Sequence, residues 1–170
     1  MTEIQRSLLS TGAAMKIIST EQGLVNSWNG TGWGHCFPVD AHIGETLSVD
    51  FDLLVVPGGE RSIAKLKSNP HTERIVSGFL EAKKPVAVLS DAVDVISQSE
   101  VVSEITVTGS DASKEVITAA GGLWAEAEIF VDGAVMSGLT TEDDQITAYI
   151  ARMVTFFAGQ EDQIEIKQAA

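Results

Sequence analysis

Short apolar runs alternate along the chain with segments whose apolar residues recur at helical spacing. The runs 51–56 and 86–89 consist largely of Leu, Val and Ala. Such runs are typical of parallel strands buried on both faces. The first ends at Pro57-Gly58-Gly59 and the second at Ser90-Asp91. We therefore expect small polar groups at the carboxyl edge of a parallel sheet, which is where open α/β sheets bind ligands.

The same pattern predicts the remaining elements. Apolar spacing and turn residues predict further strands at 15–18, 105–108, 129–131 and 135–137, and helices at 2–11, 60–67, 70–83, 91–98, 113–120 and 143–158. Asp132-Gly133 is a strong hairpin signal between the last two strands. The stretch 23–34 is predicted to be a glycine-rich loop. Alternating strands and helices with right-handed crossovers indicate an α/β three-layer sandwich around a mostly parallel sheet.

Length and charge narrow the class of protein. We expect one domain over 1–158 and a polar tail over 159–170. A formal charge of -13 argues against nucleic acid and anionic membrane as partners, because both attract cationic surfaces. A single cysteine excludes an internal disulfide, and no apolar run approaches the length that spans a bilayer. These features, with no signal peptide, predict a cytoplasmic protein.

Five motifs occur together in the chain: Val-Val-Pro-Gly-Gly at 55–59, Lys-Pro-Val-Ala-Val-Leu-Ser-Asp at 84–91, Ile-Thr-Val-Thr at 105–108, Ala-Ala-Gly-Gly-Leu-Trp at 119–124 and Ile-Phe-Val-Asp-Gly at 129–133. In the order and spacing of these motifs, the chain resembles the ThiJ/PfpI family of the class I glutamine amidotransferase-like superfamily. The resemblance implies a flavodoxin-like fold and a homodimer. Family members include hydrolases, glyoxalase- or deglycase-like enzymes, stress proteins and a domain of large-subunit catalases.

The chain departs from the family pattern at the nucleophile. The family places a cysteine on a strained elbow after the second strand, often followed by histidine and glycine, whereas this chain has Ser90, Asp91 and Ala92. We expect Ser90 to adopt the same strained backbone, because a strand that turns sharply into a helix presents its side chain through an unusual φ/ψ. A serine hydroxyl needs an adjacent base, and an aspartate is a weak proton acceptor. Ser90 and Asp91 are therefore candidate catalytic residues only, and Asp91 could instead cap the following helix.

Two further family features are missing. The family's first interior strand, and the glutamate that follows it, have no counterpart, because the chain starts where the family's first helix starts. Either the natural start lies upstream, or another segment supplies the strand. The alternating segment 163–167 is the candidate for the latter, the alternative being that it is a disordered tail. Gly138-Leu139 stand where many family enzymes carry an arginine.

The backbone of the predicted site is retained. The resemblance places the amides of Gly58, Gly59 and Asp91 together as an anion nest at helix N-termini. His35 and Cys36, on the glycine-rich loop taken as Asn26–Phe37, are a second candidate pair, although neighbouring side chains of extended backbone point to opposite faces. No metal-ligand spacing and no cofactor motif occur in the sequence.

Two functions follow as hypotheses. The first is a degenerate, non-catalytic family member that acts in small-ligand binding, stress response or regulation, with a small anion as its ligand. The alternative is a hydrolase, amidase or glyoxalase-like enzyme that uses Ser90 as its nucleophile.

Overall fold

The structure is a computed structural model. It describes residues 2–28, 32–140 and 142–168, and for Trp28 and residues 160–168 it describes the backbone alone.

The described residues form ten strands and five α-helices, joined by short loops and 3₁₀ turns. The strands are β1 (Ile18–Ser19), β2 (Leu24–Trp28), β3 (Trp33–Pro38), β4 (Ala41–His42), β5 (Leu54–Val56), β6 (Val86–Leu89), β7 (Thr106–Val107), β8 (Leu123–Trp124), β9 (Ile129–Asp132) and β10 (Val135–Gly138). The α-helices are α1 (Thr2–Ser10), α2 (Glu60–Lys67), α3 (Pro70–Glu81), α4 (Asp111–Ala119) and α5 (Asp143–Gln168). The 3₁₀ helices are Ile43–Glu45, Ser48–Asp50, Ser90–Gln98 and Glu100–Glu104.

The central sheet has the strand order β5-β6-β10-β9. Its first three strands are parallel and β9 is antiparallel to β10. The β9–β10 turn contains Gly133 at φ +56°, a left-handed conformation that glycine adopts without steric cost. The shorter pairs β1–β4 and β7–β8 are also parallel. The predicted α/β architecture with a mostly parallel sheet is therefore confirmed.

Two hydrophobic cores cover opposite faces of this sheet. Along β6, Val86 and Val88 enter one core and Ala87 and Leu89 the other, as the two-residue period of a strand requires. The first core receives side chains from α2, α3 and α4, and the second receives them from α1 and α5. This arrangement makes three layers, and it explains why β6 is apolar at every position.

The predicted loop at 23–34 is wrong over most of its length, because β2 and β3 form an antiparallel hairpin there. Its ladder pairs Val25 with Phe37 and Asn26 with Cys36, and Phe37 is buried. The β-branched Val25 and the aromatic Phe37 favour a strand and outweigh the glycines, of which Gly23 lies just before β2 at φ +88°.

The last helix is longer than predicted. The backbone of residues 160–168 continues α5, so the strand considered for 163–167 is wrong. Glu, Gln and Lys in this segment favour helix, which offsets its alternating pattern. Residues 169–170 of the predicted tail lie outside the described residues, and the domain boundary at 158 stays a prediction.

Tyr149 joins α5 to the middle of the sheet. Its side chain is fully buried, and its hydroxyl lies 2.9 Å from the carbonyl oxygen of Val88 and 3.2 Å from that of Met136. Burial raises the pKa of Tyr149 well above the ordinary 10.0. The neutral phenol is thus the form that the fold holds.

We expect Tyr149 to ionise only when the protein unfolds. Because the folded pKa is raised, its contribution to stability is complete below about pH 10 and is lost as the pH rises above that value. Tyr149 is the only tyrosine of the sequence, so the near-ultraviolet absorbance of tyrosinate reports on it alone. In an alkaline titration this absorbance should increase together with the loss of circular dichroism.

A tyrosinate signal with a midpoint near pH 10 and unchanged circular dichroism would contradict this prediction. The control is Tyr149→Phe, for which the free energy of unfolding should fall less steeply above pH 10.

Candidate functional site

Ser90 occupies a sharp turn between β6 and the 3₁₀ helix that follows. Its φ is +54°, a left-handed conformation that is uncommon for a residue with a side chain. Such a conformation costs about 1–3 kcal/mol and persists where the surroundings hold it. The elbow strain expected from the sequence is therefore confirmed. The neighbours Ala92 and Val93 are fully buried, and they anchor the turn in the first core.

Two glycines let other segments approach the elbow closely. A Cβ at Gly58 would lie 2.6 Å from the Oδ1 atom of Asp91 and 2.8 Å from the carbonyl oxygen of Leu89. A Cβ at Gly109 would lie 2.5 Å from the carbonyl oxygen of Ser90. Backbone from the ends of β5 and β7 is thus packed directly against the turn. A larger residue at Gly58 or Gly109 would push that backbone away from the turn.

The carboxylate of Asp91 lies at the N-terminus of α2. Its Oδ1 atom accepts a hydrogen bond of 2.8 Å from the backbone N–H of Gly59, the N-cap residue of that helix. Asp91 does not cap the 3₁₀ helix that it belongs to, whose N-cap is Leu89 without a side-chain hydrogen bond. Gly59 and Asp91, two members of the predicted nest, therefore lie in contact. The contact is made by the Asp91 carboxylate, which occupies the N–H of Gly59 that the prediction offered to an external anion.

Hydrogen bonds fix the surroundings of the turn. The N–H of Thr108 donates to the Ser137 hydroxyl at 2.9 Å, and the Thr108 hydroxyl donates to the carbonyl of Ala127 at 2.6 Å. The ammonium of Lys67 pairs with the half-buried Asp94 at 3.0 Å. These contacts hold the end of β7 and the helix after Ser90 in place, so the elbow belongs to a rigid framework.

No base contacts the Ser90 hydroxyl among the residues that the structure describes. The ring of His42 lies between the carbonyl of Thr20, at 3.2 Å, and the N–H of Gly44, at 3.1 Å. His71 is the second residue of α3, beside Gly44. Asp91 is bound to Gly59 and makes no hydrogen bond with Ser90. Among the described residues, neither His42 nor Asp91 thus makes a hydrogen bond with the Ser90 hydroxyl.

His35 and Cys36 lie on strand β3, which corrects their predicted placement on a loop. Both residues are exposed. As consecutive residues of a strand they project to opposite faces, so the structure does not bring them together as a nucleophile and base.

Gly138 lies where the chain has no room for a side chain. A Cβ at Gly138 would lie 2.5 Å from the ring of Tyr149, so the buried tyrosine requires glycine there. The next residue, Leu139, donates its N–H to the carbonyl of Glu128. An apolar contact thus lies where the family resemblance implies an arginine.

A shallow groove of about 320 Å³ adjoins the elbow through Gly109. Its lining residues are Thr108, Gly109, Asp111, Trp124, Glu126, Ala127, Glu128 and Leu139. Glu126 pairs with Lys114, while Asp111 and Glu128 add negative charge. Within the described part of the chain, no three His, Cys, Asp or Glu side chains are arranged to hold a metal ion. None of the described helices combines the length and the apolar character that crossing a membrane requires.

Sequence reasoning missed two features of this site. The Asp91–Gly59 contact joins residues 32 positions apart, and the packing of Gly109 against Ser90 joins different strand ends. A glycine directly after a predicted strand was the available signal for Gly109, because such glycines often mark a close approach of backbone.

Comparisons with known proteins agree with this geometry. DJ-1 homolog D of Arabidopsis thaliana is 30% identical over 109 residues, which cover 62% of this chain and 28% of that protein. A deglycase of Pyrococcus horikoshii is 26% identical over 136 residues, which cover 80% of this chain and 79% of that protein. The crystal structure of a ThiJ/PfpI domain protein from Brachyspira murdochii superposes with a TM-score of 0.79 at 21% identity, over 93% of this chain and 87% of that one.

The profile of the DJ-1/PfpI family matches residues 1–151, which is most of the chain. The chain spans little more than a quarter of the Arabidopsis relative, so only the shared region is compared. Because the match covers far more than half of the chain, this chain belongs to the DJ-1/PfpI family.

Proposed function

We propose that this chain is a non-catalytic DJ-1/PfpI domain that acts by binding a small ligand or in stress response or regulation. The observation that carries the proposal is the Ser90 elbow, which keeps its left-handed backbone while its hydroxyl contacts no described base. A serine without a base is a poor nucleophile near neutral pH. The Gly138–Tyr149 contact supports the same conclusion, because it excludes an arginine at residue 138.

One observation favours the alternative, a hydrolase, amidase or glyoxalase-like enzyme that uses Ser90. The strain at the elbow is retained, and strained backbone is often found at working sites. A relative in Pyrococcus horikoshii is named a deglycase. The packing of Gly58 and Gly109 gives a structural reason for the strain, since relaxing the turn would disturb two other strand ends.

Turnover by the unmodified chain distinguishes the two functions. We expect rates with methylglyoxal, a peptide amide and an ester to equal those of Ser90→Ala, because the hydroxyl has no base to activate it. The measurement is product formation at several enzyme concentrations. Turnover that scales with enzyme and disappears in Ser90→Ala would establish the enzyme instead. The matched control is Ser97→Ala, which removes a hydroxyl from the same 3₁₀ helix.

We also propose that the sheet lacks the interior first strand of the family. In the described part of the chain, β5 is the edge of the central sheet and β1 pairs with β4 rather than with β5. The N–H of Leu54 donates toward β6, to the carbonyl of Pro85 at 2.9 Å. Because successive N–H groups of a strand point to opposite sides, the N–H of Val55 points toward the missing strand.

Hydrogen exchange tests this strand arrangement. We expect the amide of Val55 to exchange about a hundredfold faster than that of Val86, which donates to the carbonyl of Ala134 inside the sheet. Equal protection of the two amides, followed by mass spectrometry or NMR, would show that a strand covers the edge of β5.

We propose, as a partner, a second copy of the chain. The β2–β3 hairpin supports this, since Leu24 and Trp33 are 63% and 65% exposed and an isolated two-stranded hairpin is marginally stable. Light scattering at micromolar concentration should give about 36 kDa, twice the chain mass of 18.0 kDa. A mass of one chain would contradict the dimer. A cytoplasmic location and a small anionic ligand complete the proposed function.

A further inference from the structure

The nest at the start of α2 already holds an anion that belongs to the chain. The N–H of Gly59 is directed at the Oδ1 atom of Asp91, 2.8 Å away, and no side chain of α2 itself caps that helix. A helix N-terminus favours negative charge, because its first N–H groups lack partners within the helix. The Asp91 carboxylate therefore occupies the position in which an external anion would be stabilised.

The fit of this carboxylate depends on Gly58. A Cβ at residue 58 would lie 2.6 Å from Oδ1, which is closer than the two atoms can approach. Gly58 thus leaves room for the carboxylate against the end of β5. Asp91 directly follows the left-handed residue Ser90, so the elbow that presents residue 90 also delivers residue 91 to the nest.

Two consequences follow for a reaction at position 90. An oxyanion formed there would have to displace Asp91 before it could accept the N–H of Gly59. It would also form beside a negative charge, and a nearby carboxylate raises the pKa of a thiol and so disfavours a thiolate. Either effect works against nucleophilic chemistry, whatever residue occupies position 90.

We propose that Asp91 is a built-in inhibitor of the elbow, a carboxylate that takes the Gly59 donor and keeps external anions and oxyanions out of the site. This inference rests on the proposed non-catalytic function, and it names the contact that enforces it. It further implies that the small anion expected as a ligand binds only when Asp91 has left the Gly59 amide.

Thiol reactivity at position 90 tests the effect of the charge. The background is Cys36→Ser with Ser90→Cys, so that iodoacetamide alkylates a single thiol. We compare Asp91, Asp91→Asn and Asp91→Ala by the pH dependence of the alkylation rate. Asp91→Asn keeps an oxygen that can accept from Gly59 but removes the charge. We expect both replacements to lower the midpoint by about one pH unit and to raise the rate at pH 7 about threefold.

The matched control is Glu100→Gln in the same background, which removes an exposed carboxylate from the next 3₁₀ helix. Its midpoint should equal that of the Asp91 protein. Equal midpoints for Asp91, Asp91→Asn and Asp91→Ala would overturn the inhibitory role of the charge.

The amide resonance of Gly59 tests the occupied donor in the chain with its natural Ser90. Adding acetate should leave this resonance unchanged in the wild-type protein and move it downfield in Asp91→Ala, where the N–H is free. An equal acetate shift in both proteins would overturn the proposal. If Asp91→Ala fails to fold, Asp91→Gly replaces it with the same expected result, and an equal acetate shift in Asp91→Gly and in the wild-type protein would overturn the proposal.

These outcomes are separate from those of the turnover experiment. Turnover by the wild-type protein would refute the proposed function even if the thiol midpoints shift as expected. Equal midpoints would refute the role of Asp91 even if the wild-type protein has no activity.

Discussion

The backbone at Ser90 makes a left-handed turn, and the ends of two other strands pack against it with no room for side chains. Gly58 approaches from the end of β5 and Gly109 from the end of β7. The turn cannot relax alone, because its carbonyl oxygen and the side chain of Asp91 are in contact with these segments. The cost of the strained φ is thus offset by buried packing around it, and the conformation does not depend on the chemistry of residue 90.

This constraint separates the shape of the site from its activity. The elbow at Ser90, the close approach of Gly58 and Gly109, and the N-terminus of α2 are features of backbone and packing, and they are present in this chain. A proton acceptor for Ser90 and a cation at the far edge are features of side chains. The described residues place neither one at the site, and Tyr149 requires the glycine at position 138. Family members can therefore share this site geometry while differing in the side chains on which catalysis depends.

Asp91 shows how one substitution can change the role of a retained feature. A helix N-terminus attracts negative charge from any source, including a side chain of the same protein. When the residue after the elbow carries a carboxylate, that carboxylate is held at the nest at a far higher effective concentration than a free ligand. The donor is then engaged by the chain itself.

Much of the fold was determined by the sequence itself. The unbroken apolar run of β6, the Asp132-Gly133 turn and the helical spacing of Tyr149, Ile150 and Met153 are local signals, and each predicted its element correctly. Local patterns were insufficient where contacts with neighbouring segments determine the secondary structure. Pairing between strands made residues 24–38 a hairpin despite the glycines, and α5 continues past Gly159 because the residues after it favour helix. At the site, the sequence predicted a strained elbow that presents Ser90. Only the tertiary structure showed that the Asp91 carboxylate binds the Gly59 amide and that Gly109 packs on the Ser90 carbonyl, because these contacts join residues far apart in the chain and no local pattern encodes which strand ends meet.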